Sequence, residues 1–388
     1  MTDTRIFAEA THVTVLRRMH LIREKDRPAA LRRILLVVAV AWLPLMLLSL
    51  VDSQLNHDSA ATTFFGDIAV HSRLLLAAPL LIACEYFVLP RLEAIGQHFA
   101  DSSLVAAEDR GRYTAEIEKC HAMSAHTRYF GEIAFLAYVL AFIMLATASK
   151  AGIDLPSWQR SAHSGSLSLA GWWHLMISLP ILLGLILGWL WRLVVWVRFL
   201  AAISRLGLLL IAVHPDKAAG LQFVAYSPRI IAPVGLAMSI VVAGTMANDV
   251  VHHGMSPIDH IATPLITAAS LTVLFVLPPF IFTRVLVTAW RQGVFKYGDL
   301  ASRIGKEFEE KWTGPGAVVD SSALSDPDFS STTDLYSIVS NVYNMRLVLF
   351  DYQGTAAIVM TVLAPFLPVW LCAVPLKTLS KNLIGLLF

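Results

Sequence analysis

Apolar residues run through this chain in long, almost unbroken blocks, separated by polar segments rich in Arg, Lys and His. Seven blocks stand out, at 34–51, 68–89, 132–148, 171–197, 230–247, 263–283 and 354–374. At ~1.5 Å rise per residue, blocks of this length cross the ~30 Å of a bilayer's hydrocarbon core as helices. The pattern predicts an all-α, polytopic membrane protein with about seven transmembrane helices. Tryptophans fit the fourth block. Trp172 and Trp173 fall at one end and Trp189, Trp191 and Trp196 toward the other, as an aromatic belt at each interface requires.

Basic residues alternate between the connecting segments. Residues 1–33 hold eight Lys or Arg, 52–67 none, 90–131 five, 149–170 two, 198–229 four, 248–262 none and 284–353 seven. The positive-inside rule then predicts a cytoplasmic N-terminus and an outer C-terminus, in a cell membrane and most simply a bacterial inner membrane. The first block reads as a retained signal anchor. Four regions follow. Residues 1–33 form a basic cytoplasmic segment, and 34–283 a six-helix membrane region with helical cytoplasmic extensions at 90–131 and 198–229. Residues 284–353 form a cytoplasmic helix-loop-helix, broken at Gly314-Pro315-Gly316 and resumed by a helix capped at Thr333 or Asp334. Residues 354–388 hold the seventh span and an amphipathic helix with Leu379, Leu383 and Leu387 on one face.

Composition sharpens this picture. Of 388 residues 56% are hydrophobic and 15% charged, against ~25% charged in soluble domains. A net charge of +2 gives no footing for nucleic acid. Cys84, Cys120 and Cys372 have no paired spacing, so neither a disulfide framework nor a thiolate metal site is expected.

His214-Pro215-Asp216 resembles the tripeptide of J-domain co-chaperones, but no basic, Tyr-bearing helix precedes it and Phe223 follows too soon. The reading is a turn, with Pro215 ending the extension of span four and Asp216 capping the next short helix.

Two groups of residues carry candidate chemistry. Asp249, His252 and His253 fall at i, i+3 and i+4, one face of a helix, and Asp259-His260 can fold back toward them. Carboxylate and imidazole at this spacing suit Zn²⁺ or Cu²⁺, or a pH switch, while a plain polar rim explains the same residues. Inside the membrane, Glu85 is a candidate for transport or gating, or for pairing with an Arg. Thr267, Ser270 and Thr361 give spans six and seven polar positions, and Pro233, Pro264, Pro278, Pro279, Pro365 and Pro368 interrupt spans five to seven. Gly184 and Gly188 in span four, and Gly235, Ser239, Ala243 and Ala247 in span five, permit close helix contacts and a homo-oligomer. No nucleophile elbow, phosphate loop, HExxH or paired acidic motif supports an enzyme. The expectation is a channel or transporter for a small solute or ion along spans five to seven. The alternative is a sensor or scaffold responding to external pH or divalent metal.

Overall fold

The structure, a computed structural model, describes residues 5–7, 27–56, 59–125, 127–150, 155–161, 166–315 and 327–373. The amphipathic helix expected near the C-terminus, His57 and His163, and the loop before Pro327 lie outside the described residues. Among the described residues the chain is helical, with only the isolated bridges Val105–Leu208 and Arg160–Leu167.

Among the described residues seven helices are long and apolar enough to cross a membrane, the pattern of a multi-pass membrane protein: Ala30–Leu55, Ile68–Asp101, Tyr129–Lys150, Leu169–Ile203, Gln222–His253, Ala262–Thr313 and Tyr352–Leu371. We call them spans one to seven. Spans two, four and six run well past the apolar blocks at their Arg- and Lys-rich ends. The cause is visible in span two, where Leu92, Ile95, Gly96 and Phe99 are buried at helical spacing. Phe99 meets Phe199 of span four at 6.4 Å, Phe223 at 4.9 Å and Phe282 of span six at 5.9 Å. This aromatic cluster ties four spans together beyond the hydrocarbon.

Span five is the most enclosed of the seven. Its small residues are used inside the protomer. A Cβ on Gly235 would stand 2.8 Å from Phe275 of span six and 3.1 Å from Val362 of span seven. At Gly244 a Cβ would meet the Ser72 side chain of span two in full overlap. Gly184 differs, since a Cβ there meets nothing within 4 Å, and at Gly188 the nearest atom is Arg192 Nη1 at 3.8 Å. Trp189 also departs from the belt reading. It is buried and donates to the Leu81 carbonyl at 2.9 Å, while Trp172 stays exposed.

Two expected boundaries move. The helix expected from Thr333 or Asp334 starts at Pro327 and ends at Tyr343. Pro fits a first helical turn, Asp328 there pairs with Lys311, and Phe329 packs on Phe308 at 5.1 Å and Trp312 at 4.8 Å. This helix therefore docks antiparallel on the end of span six. It does not run on into span seven, because Arg346 N–H donates to the Lys217 carbonyl at 2.6 Å and Asp351 pairs with Arg229. Span four ends at Ile203, eleven residues before His214, so Pro215 is not its terminator. Asp216 does cap, accepting from the amides of Ala218 at 2.8 Å, Gly220 at 3.1 Å and Gln222, first residue of the next 3₁₀ turn, at 3.1 Å.

Candidate functional site

Among the described residues, ionisable groups meet around span two at two levels. Toward the Arg- and Lys-rich end, Glu85 binds Arg33 and Arg192. Its Oε1 accepts from Arg192 Nη2 at 2.9 Å and from Arg33 Nη2 at 3.2 Å, and its Oε2 accepts from Arg33 Nη1. Side-chain exposure is 2% for Arg33, 9% for Glu85 and 13% for Arg192, so all three charges lie mostly within the bundle. Arg192 also stacks over Trp189, 5.1 Å from the ring centroid. The triad links spans one, two and four. Arg192 had the reach to snorkel toward the interface but turns inward.

At the opposite end, the start of span two is clamped onto span five. Asp67 accepts from Val70 N–H at 3.0 Å, capping the helix, and from Trp158 Nε1 at 2.9 Å. Asn248 Oδ1 accepts from Ile68 N–H at 3.1 Å, and Arg73 Nη2 donates to Thr245 Oγ1 at 2.8 Å. Arg73 Nε is buried with no protein partner, as is Nδ1 of the buried His174 on span four. His174 lies edge-on to Trp158 at 5.5 Å, which in turn meets Phe64 at 5.5 Å.

Both helices bearing these groups are π-helical there, over Ser72–Ala77 and His174–Ser178. The cause is Pro79 and Pro180. A proline offers no N–H to the carbonyl four residues before it and crowds that carbonyl. The preceding amides step back by one: Ala78 N–H bonds Arg73 O and Leu179 N–H bonds His174 O. At Met176, the carbonyl Pro180 cannot serve accepts from Tyr138 O–H of span three at 3.0 Å. One extra residue per turn rotates the helix beyond it, and such π-bulges recur at functional sites. Here they set the orientation of Arg73 and His174.

The other candidate residues are dispersed. His253 Nδ1 lies 3.4 Å from Asp249 Oδ1, but His252 turns to the Asn248 carbonyl at 3.2 Å and lies against Gly66. Asp259 and His260 sit in the turn after Gly254, where their amides donate to Ser256 O at 3.1 Å and Pro257 O at 3.3 Å. Among the described residues no group of three or more His, Cys, Asp or Glu side chains stands together. Asp249 and His253 alone supply two donors, short of the three or four a Zn²⁺ site uses. In span six Thr267 Oγ1 donates back to Thr263 O at 2.7 Å and Ser270 Oγ to Thr267 O at 3.1 Å, with Ser270 exposed on the bundle's outside. Thr361 is half-buried in span seven.

Sequence reading picked out Glu85 but not its partners. Arg33 counted there only among the basic residues of the N-terminal segment. Pro79 and Pro180 were the available signal for the two π turns. Comparison with known protein families, with curated proteins and with solved structures gives no match for this chain.

Proposed function

We propose that the protein moves a small solute or ion across a cell membrane, the bacterial inner membrane being the simplest host, with its N-terminus in the cytoplasm and its C-terminus outside. The observation that carries this reading is the row of ionisable side chains on span two. Groups such as Arg73 and Glu85 cost free energy in a bilayer and are retained mainly where they serve a pathway or relay. The pathway follows span two, between spans four and five. The contact of spans five, six and seven is filled by Phe275 and Val362 around Gly235. Arg33 and Arg192 stand against Glu85, and Arg73 against Asp67 and Asp249, and these guanidinium groups are read as the attraction for a small anion. The void beside Arg192 is ≈ 10 Å³, too small for a solute. Movement therefore requires a gated transition, and the proline-induced π turns are the natural hinges. A homo-oligomer is part of this reading, because Gly184 and Gly188 leave open space for a second copy.

The test is flux from proteoliposomes loaded with halide, sulfate or, separately, potassium. Anion efflux that falls at least tenfold in Arg73→Gln, with the variant still folded and monodisperse, supports the proposal. No efflux above empty liposomes for any of the three would refute it. A second reading is a non-transporting sensor or scaffold for external pH or a divalent metal through the outer-face His and Asp residues, where His253 Nδ1 lies 3.4 Å from Asp249 Oδ1. That reading predicts no flux and a pH- or Zn²⁺-dependent change in the packing of the helix pair 283–313 and 327–343.

A further inference from the structure

Beyond the membrane spans, a cleft of ≈ 660 Å³ opens between the segment after span four and the first turns of the helix Thr283–Thr313. One wall repeats every four residues: Arg284, Thr288, Gln292 and Lys296 form a polar stripe along one helix face, all four exposed. The facing wall is aliphatic, with Leu208 and Ile211 among its residues. Of the fourteen lining residues two are cationic and none is acidic.

The walls are held firmly. Leu209 N–H donates to Leu104 O at 2.8 Å, and Asp109 Oδ2 accepts from Gly207 N–H at 2.9 Å. A Cβ on Gly293 would stand 2.6 Å from Ala212 and 3.0 Å from Val342, so the floor is a close backbone approach that needs glycine.

We propose that this cleft binds the headgroup of an anionic glycerophospholipid drawn from the adjoining leaflet. Arg284 stands two residues after the 3₁₀ turn Pro278–Phe282 that ends the apolar part of span six, so the cleft mouth lies where lipid phosphates lie. The volume falls within the ~300–1,000 Å³ of small-ligand sites. Arg284 offers the fork that phosphate accepts, Thr288 and Gln292 follow one and two turns on, in reach of headgroup hydroxyls, and Lys296 adds cationic field at the far end. The aliphatic wall receives the glycerol backbone and the first methylenes of an acyl chain. Basic pockets beside membrane helices recognise lipid in this way.

The experiment measures thermal unfolding in mild detergent micelles doped with phosphatidylglycerol, with phosphatidylcholine, or with inorganic phosphate alone. Ligand that binds only the folded state raises Tm. Phosphatidylglycerol should raise the Tm of the wild type, with phosphatidylcholine and phosphate giving no rise. Arg284→Gln should weaken the phosphatidylglycerol response roughly tenfold in concentration, the loss of one charge-assisted contact. Gln292→Trp fills the cleft and should abolish the response while leaving the lipid-free Tm in place. Equal responses to the two lipids, or a full response in both variants, would overturn the proposal. A rise with inorganic phosphate equal to that with lipid would also overturn it, in favour of a soluble anion.

Discussion

Arg33 and Glu85, 52 residues apart in sequence, meet inside the bundle with both guanidinium Nη groups on one carboxylate. Arg192 completes the set from span four, so a single carboxylate fixes the relative height of three spans. Removing one member of such a group leaves an uncompensated buried charge, at a cost of about 3–5 kcal/mol. Glu85→Gln should therefore destabilise strongly, because two Arg then face each other without an anion. Replacing all three with apolar residues of similar size should cost much less than Glu85→Gln alone. Equilibrium unfolding in detergent distinguishes the cases, and a neutral Glu85→Gln would show that the triad carries no stability.

Glycines with similar spacing make opposite predictions. Gly244→Ala puts a methyl into Ser72, and overpacking of this kind costs about 1–3 kcal/mol. The pair Ser72→Gly and Gly244→Ala should recover most of it. Gly184→Leu with Gly188→Leu adds bulk to a face that is open within the protomer. Unfolding should be unchanged while any oligomer dissociates, as read by light scattering in mild detergent. A drop in stability with assembly intact would mean these glycines pack internally.

Much of the fold could be read from the chain because lipid imposes simple rules. Apolar length marked all seven spans, and the mixed-charge segment after span two holds the helix Arg110–Ala125, which packs against span four. What could not be read was set by contacts distant in sequence. Nothing local to Glu85 names Arg33 or Arg192, and nothing local to Trp158 names Asp67. The helix at Pro327 starts early because Phe308 and Trp312 supply its docking surface, so the cap-like Thr333 and Asp334 are interior. His252 leaves the face it shares with Asp249 because Gly66, at the end of the short helix Ala60–Gly66, gives it room.

Asp216 links the loop after span four to pH. Burial works against its charge more than any single contact favours it. The amides of Ala218, Gly220 and Gln222, with His214, together outweigh that and hold its carboxyl below the usual range. A depressed pKa contributes stability that is present above the unfolded value of ~3.9 and is lost as pH falls through the folded value. Asp216→Asn should cost about 2 kcal/mol at pH 7 through poorly matched amides. The Tm gap from wild type should close in acid, below the ordinary carboxylate range. A gap that is constant from pH 7 to pH 3 would mean that charge is irrelevant at this position.

Orientation is tested separately from function. The alternation of Lys and Arg requires a reporter inserted at Ser322 to be active only in the cytoplasm, and one fused after Phe388 only outside. Cytoplasmic activity at both sites would mean that one of the seven helices does not cross.

The last prediction concerns Pro180 and Tyr138. Pro180 has no amide proton, so the Met176 carbonyl loses its usual i+4 donor inside a membrane span. An orphaned carbonyl in lipid is costly, and Tyr138 O–H of span three serves it at 3.0 Å. Tyr138→Phe should therefore destabilise by about 1 kcal/mol. In a Pro180→Ala background the helix can supply its own donor to Met176 and the π turn at His174–Ser178 can revert to α. Tyr138→Phe should then cost little, giving a coupling energy of about 1 kcal/mol between two residues on different spans. Pro180→Ala alone should also reorient His174, and with it the solute flux if span four is a hinge. Additive costs in the double-variant cycle would show that the tyrosine bond and the proline are independent, and that the π turn has another cause.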